Sequence, residues 1–84
     1  MSYIIEFSLG FEKSMKKLKK KDKSLFLKIQ KKIIDIMENP EHYKPLRNVL
    51  AGYRRIKFGH FVLIYKIENN VVKIISLDHH DRIY

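Results

Sequence analysis

Arg55 and Lys57 lie two residues apart in the run Gly52-Tyr53-Arg54-Arg55-Ile56-Lys57-Phe58. In a strand, side chains alternate across the sheet. Tyr53, Arg55 and Lys57 therefore share one side, and Arg54, Ile56 and Phe58 the other. Two cations on one face make a two-pronged clamp for phosphate. The chain closes on a second reactive cluster, Asp78-His79-His80-Asp81-Arg82-Ile83-Tyr84. Arg82 offers a third charge, with a fork geometry suited to phosphate oxygens. His60, His79 and His80 are the neighbouring side chains whose ordinary pKa suits proton transfer near neutral pH. Tyr84 can stack on a base or donate its phenolic proton. This set fits one reaction. In RNA the 2′-hydroxyl can attack the adjacent phosphate, leaving a cyclic phosphate and a free 5′-hydroxyl. The step needs a base for the 2′ proton, cations where negative charge grows, and an acid for the leaving oxygen. It needs neither metal nor cofactor.

Each residue also has a plainer explanation. Arg55 and Lys57 fit equally the alternating charges of a wet sheet face. His60 follows Gly59 and suits a turn. Tyr84 suits the edge of a core. His79 and His80 suggest a metal, but adjacent strand residues point to opposite faces, and His80 with Asp78 or Asp81 is a thin ligand set. With no cysteine in the chain, no metal site is expected.

The 84 residues suffice for one domain, residues 1–84, with a small core. A chain of this size buries roughly 60% of its unfolded surface. Hydrophobic residues make up 45%, enough for a folded chain. The absence of cysteine excludes disulfides and thiol nucleophiles. No apolar run approaches the roughly 20 residues that span a bilayer, and the start, MSYIIEFSLGFEK, lacks a cationic leader pattern. A soluble cytoplasmic protein is expected. The charge is more telling: 18 Lys+Arg against 9 Asp+Glu, a net +9. Such a field attracts polyanions, RNA or an acidic protein, although a lysine-rich soluble surface explains it as well. The ten lysines between Lys13 and Lys32 suit a solvated helix face, or a nonspecific docking surface for phosphates.

The elements that must hold these residues follow from periodicity. Tyr3, Ile5 and Phe7 alternate in a strand over 2–7. Ser8 suits an N-cap, and Phe11, Met15 and Leu18 recur at helical spacing. Asp22 suits the N-cap of a second helix carrying Phe26, Ile29, Ile33, Ile36 and Met37 on one face, widened by Leu25 and Ile34. Asn39-Pro40 stops it. Residues 41–51 show no clear period; Pro45-Leu46 and Val49-Leu50 are expected to tuck under the sheet. Three strands follow, over 53–58, 60–67 and 71–77, with turns at Gly59 and at Glu68-Asn69-Asn70. His60–Ile67 is nearly continuous hydrophobe, as a strand buried on both faces would be. The fold class is α+β: an N-terminal strand, a helical hairpin, then a three-stranded antiparallel meander. With one apolar face per helix, both helices pack on one face of a small twisted sheet.

That order, together with the Gly52–Lys57 run, Gly59 before Phe61-Val62-Leu63-Ile64-Tyr65, and the terminal His79-His80-Asp81-Arg82-Ile83-Tyr84, resembles the RelE/ParE superfamily of toxins from toxin–antitoxin modules. The resemblance covers essentially the whole chain and is closest to the YafQ-like branch and archaeal RelE-type proteins. It implies an mRNA endonuclease, a metal-independent mRNA interferase acting in the ribosomal A site beside rRNA and so inhibiting translation. It also implies an acidic, RelB-like antitoxin that forms a heteromer with the toxin. By position, Arg55 and Lys57 match the strand cations of the family site. His80 matches a catalytic His of the YafQ-like branch, and Tyr84 matches the terminal aromatic. These four are the expected catalytic residues; Arg54, His60 and Arg82 are expected to contact RNA. His60 falls where the YafQ-like branch has an acidic catalytic residue. Val62 departs from the many RelE proteins that place a phosphate-binding Arg there, so Arg82 or Arg54 would have to compensate. Two alternatives stand beside this reading. ParE-type members inhibit DNA gyrase and are not nucleases. A nonenzymatic RNA-binding module similar to a double-stranded RNA-binding domain fits the charge, but that domain places its helices at the two ends of its sheet.

Overall fold

Ser8 joins the two ends of the fold. In the computed structural model, which describes residues 3–42 and 52–79, strand β1 (Ile4–Phe7) ends at Ser8 and helix α1 (Leu9–Lys21) begins. Ser8 keeps an extended backbone, and its Oγ accepts from the Phe11 N–H at 3.0 Å. That hydroxyl also donates to the Ile75 carbonyl of the last strand. The expected N-cap is therefore also a tertiary tie. Asp22 works at a second junction. Its N–H donates to the Leu18 carbonyl at 2.7 Å, closing α1, while its carboxylate accepts from the Leu25 N–H at 3.1 Å, opening helix α2 (Lys23–Glu38). A single residue thus turns the helical hairpin. Three lysines fill the last turn of α1, where cations complement the helix dipole. Asn39 and a 3-10 turn at Pro40–His42 end α2.

Three strands follow: β2 (Tyr53–Phe58), β3 (Phe61–Glu68) and β4 (Val71–His79). The sheet order is β1-β4-β3-β2, with β1 parallel to β4 and the other pairs antiparallel. The expected α+β architecture is present, and the first strand closes the sheet by pairing with the last. Both helices lie on one face. Phe11, Leu18, Ile29, Ile33 and Ile36 pack there against Ile56, Leu63, Tyr65, Val72, Ile74 and Leu77. A bulge shapes that face. Ile64 pairs with Ser76 and Tyr65 with Ile74, which leaves Ile75 as the extra residue. The shift lets Ile74 and Leu77, three apart, enter the same core. The Tyr65 ring is fully buried, and its hydroxyl donates to the Pro40 carbonyl, so the core tyrosine also fixes the end of α2.

Several sequence-based bounds shift. His60 belongs to the β2–β3 turn, and β3 starts at Phe61 and runs through Glu68, so the next turn is Asn69-Asn70. Asn69 takes φ 55°, the left-handed conformation that asparagine tolerates, and Gly59 takes φ 58°. Strand β4 runs two residues further than periodicity indicates, to His79, because Asp78 and His79 pair with Val62 and Phe61. Ile34 does not widen the core face; it is 57% exposed. The expected burial of Pro45, Leu46, Val49 and Leu50 lies outside the described residues. No helix among the described residues is long and apolar enough to cross a membrane.

Candidate functional site

The sheet face away from the helices holds the strand cations. Ile56 enters the core, so the alternation along β2 sends Tyr53, Arg55 and Lys57 to the opposite side. Arg55 sits across from Ile64 and Lys57 across from Val62. Ile64 and Val62 in turn pair with Ser76 and Asp78 of β4. Val62 and Ile64 are buried at 1% and 6% exposure, although neither belongs to the helix-side core. Strand β3 is thus buried on both faces, as its unbroken apolar run indicates. The result is a pair of cations about 7 Å apart along a strand, beside an apolar strip. Lys57 is exposed and makes no ion pair among the described residues. Fixed charges beside apolar surface interact more strongly with an incoming anion than charges in bulk water.

The other end of this face is compensated. Lys66 and Lys73, directly paired across β3 and β4, both bind Glu68, at 2.9 and 2.6 Å. Hydrogen bonds from Lys73 and then Lys66 hold the Glu68 carboxyl down to about 2, and the same bonds raise both lysines. Lys66 also sits 5.3 Å from the centroid of the Tyr53 ring.

The structure brings Arg55 and Lys57 together on one face and places three other candidates elsewhere. Arg54 lies on the helix side, where its Nη1 donates to the Glu41 carbonyl at 3.4 Å. His60 stands exposed at the tip of the β2–β3 hairpin. His79 shares the helix side with Leu77, its ring centroid 4.6 Å from that of Phe61. His79 therefore points away from Arg55 and Lys57, as strand alternation requires. His80, Arg82 and Tyr84 lie outside the described residues. Among the described residues, no three His, Asp or Glu side chains are grouped to hold a metal ion.

Two concavities escape a reading by periodicity. One is a groove of about 690 Å³ between α1 and α2, with Phe7, Met15, Phe26 and Ile34 among its lining and Lys16 and Lys19 at its rim. Phe7 is 42% exposed there and stacks on Phe11, with ring centroids 5.5 Å apart. The signal for it was Ile34, which is out of phase with the buried Ile29, Ile33 and Ile36. The other is a cleft of about 540 Å³ where the β2–β3 turn meets the start of α2. Its residues are distant in sequence, and no local pattern announces it.

Comparison with known proteins agrees on the fold. The family model described as ParE toxin of type II toxin–antitoxin system, parDE, matches residues 5–84. A Methanocaldococcus jannaschii protein named as a candidate toxin, RelE4, is 39% identical over 85 residues, covering 98% of this chain and 90% of the relative. The toxin–antitoxin complex RelBE2 from Mycobacterium tuberculosis contains a similar chain, with TM-score 0.80 and 25% identity, covering 95% of this chain and 100% of that one. The DinJ–YafQ toxin–antitoxin complex of E. coli contains another, with TM-score 0.81 and 21% identity, covering 100% of this chain and 99% of that one.

Proposed function

The chain belongs to the ParE toxin family of type II toxin–antitoxin systems, and from that premise we propose that it is a cytoplasmic, ribosome-dependent mRNA endonuclease. The observation that carries this reading is that Arg55 and Lys57 share one face of β2 beside the apolar Ile64 and Val62, with Lys57 exposed and in no ion pair among the described residues. In the proposed reaction the 2′-oxygen forms a bond to phosphorus as the bond to the 5′-oxygen breaks. His80 takes the 2′ proton, and the leaving oxygen gains one, leaving a 2′,3′-cyclic phosphate and a 5′-hydroxyl. Arg55 and Lys57 stabilise the charge that grows on the phosphoryl oxygens. Arg82 adds a third cation, and Tyr84 stacks on a base or supplies the proton.

The partner that restrains this toxin is an acidic antitoxin. The groove between α1 and α2, with its apolar floor and lysine rim, suits one face of an amphipathic acidic helix. Solved relatives are complexes of toxin with antitoxin, which supports a heteromer.

Gyrase inhibition is the second reading, favoured by the ParE name of the matching family. One experiment separates the two. The protein is induced, and mRNA 5′ ends are mapped with and without ribosomes. New 5′-hydroxyl ends that depend on ribosomes support the nuclease. Arrest of supercoiling with intact mRNA overturns it.

A further inference from the structure

The cleft at the hairpin tip has two unlike walls. One is aromatic. Phe61 faces Phe58 across β2–β3 and His79 across β3–β4, and the Phe61 and His79 rings meet with planes inclined by 42°. The opposite wall is the start of α2, with Asp22, Leu25 and Lys28. Asp22 spends its carboxylate on the Leu25 N–H. Lys28 is exposed and makes no ion pair among the described residues, and the exposed His60 lines the same cleft. An aromatic platform beside an exposed lysine suits a flat base linked to a negatively charged phosphate.

We propose that this cleft binds one nucleotide of single-stranded RNA, the base against Phe58, Phe61 and His79 and the phosphate at Lys28 and His60. The proposal rests on the ribonuclease reading and extends it to the other side of the sheet. Lys57 and Phe58 are successive residues on opposite faces, their Cα atoms about 3.8 Å apart. An RNA strand held at Arg55 and Lys57 therefore enters the cleft by crossing the two-residue tip. Gly59 leaves that crossing open, since even a Cβ there would meet nothing within 4 Å. A protein anchor suits the apolar groove between the helices better than this polar-rimmed cleft.

The test uses the full chain and a 2′-O-methylated single-stranded oligonucleotide, which cannot be cleaved, carrying an end label and an internal 2-aminopurine. Anisotropy reports binding and 2-aminopurine fluorescence reports stacking, at one fixed salt concentration. Lys28→Glu and His79→Ala are expected to weaken binding about tenfold each, the scale of one lost base–aromatic contact, and to abolish the stacking signal. Lys28→Arg should restore affinity. Both side chains are exposed, and circular dichroism checks folding. Full affinity in Lys28→Glu and His79→Ala, with affinity lost in Arg55→Ala, overturns this proposal and leaves the ribonuclease reading standing. No binding by the wild type overturns this proposal, whereas the ribosome-dependent ribonuclease reading stands or falls on the mapping of mRNA 5′ ends. If the two cleft variants bind RNA normally but lose an acidic antitoxin peptide, the cleft serves the protein partner and the proposal fails.

Discussion

Lys66 and Lys73 at one end of the open sheet face share Glu68; Arg55 and Lys57 at the other end have Ile64 and Val62 as their β3 partners. The residue types are alike and the face is the same. The difference lies in what the adjacent strands supply. Where β3 offers a carboxylate, the cations spend their charge within the protein. Where it offers apolar side chains, Lys57 stands exposed with no ion pair among the described residues. A pair of cations on a strand thus carries little information until its cross-strand partners are known.

The largest effect that would break this comparison is on rate. Arg55→Ala or Lys57→Ala should slow single-turnover cleavage of ribosome-bound mRNA by about a hundredfold or more. His80→Ala should cost roughly 10²–10⁴-fold and remove an inflection near neutral pH. Lys66→Ala and Lys73→Ala should cost far less. Equal losses at the two ends would mean that charge compensation does not separate function from structure. In the same assay Tyr84→Phe distinguishes stacking, which it preserves, from proton donation, which it removes.

A smaller effect, on stability, concerns the helix side that supports both ends. Tyr65→Phe removes a buried hydrogen bond to the Pro40 carbonyl and should cost about 1–3 kcal/mol, since that carbonyl loses its partner. Ser8→Ala removes a cap and a tie to β4 together and should cost about 1–2 kcal/mol. Urea unfolding measures both. Values near zero would show that the Pro40 and Ile75 carbonyls and the Phe11 N–H are satisfied by water once the hydroxyls are gone.

Much of the frame was legible in the chain. Ser8 and Asp22 announced helix starts because a side-chain oxygen must accept from N–H groups that the helix leaves unpaired. The apolar run in β3 announced burial on both faces. Pairing was not legible. That β1 joins β4 depends on contacts across most of the chain, and that Ile75 is a bulge depends on the register of the β3–β4 hairpin. The bulge is what sends both Ile74 and Leu77 inward, and a strict period of two would have turned one of them out. For the candidate site, Arg55 and Lys57 could be set on one face from their spacing. The compensation of Lys66 and Lys73 by Glu68 could not, because it requires the β3–β4 register.

The smallest predicted effect sharpens the comparison most directly. Glu68→Gln removes the carboxylate that neutralises Lys66 and Lys73. The folded Glu68 carboxyl is depressed from 4.5 to about 2, so below its ordinary pKa the unfolded chain binds a proton that the folded chain resists. Its stabilising contribution is present above about 4.5 and is lost as pH falls through about 2. All three side chains are at least 30% exposed, so solvent screening keeps the contribution small. Melting temperatures measured from pH 6 to pH 2 should therefore converge for wild type and Glu68→Gln at the acid end. A gap that stays constant across that range would show that Glu68 does not titrate as its contacts require. The same variant frees two lysines on the face that carries Arg55 and Lys57. If RNA extends along that face, each recruited lysine steepens the dependence of log affinity on log salt by roughly 0.7 for a single strand. An unchanged slope would confine the RNA to the Arg55–Lys57 end.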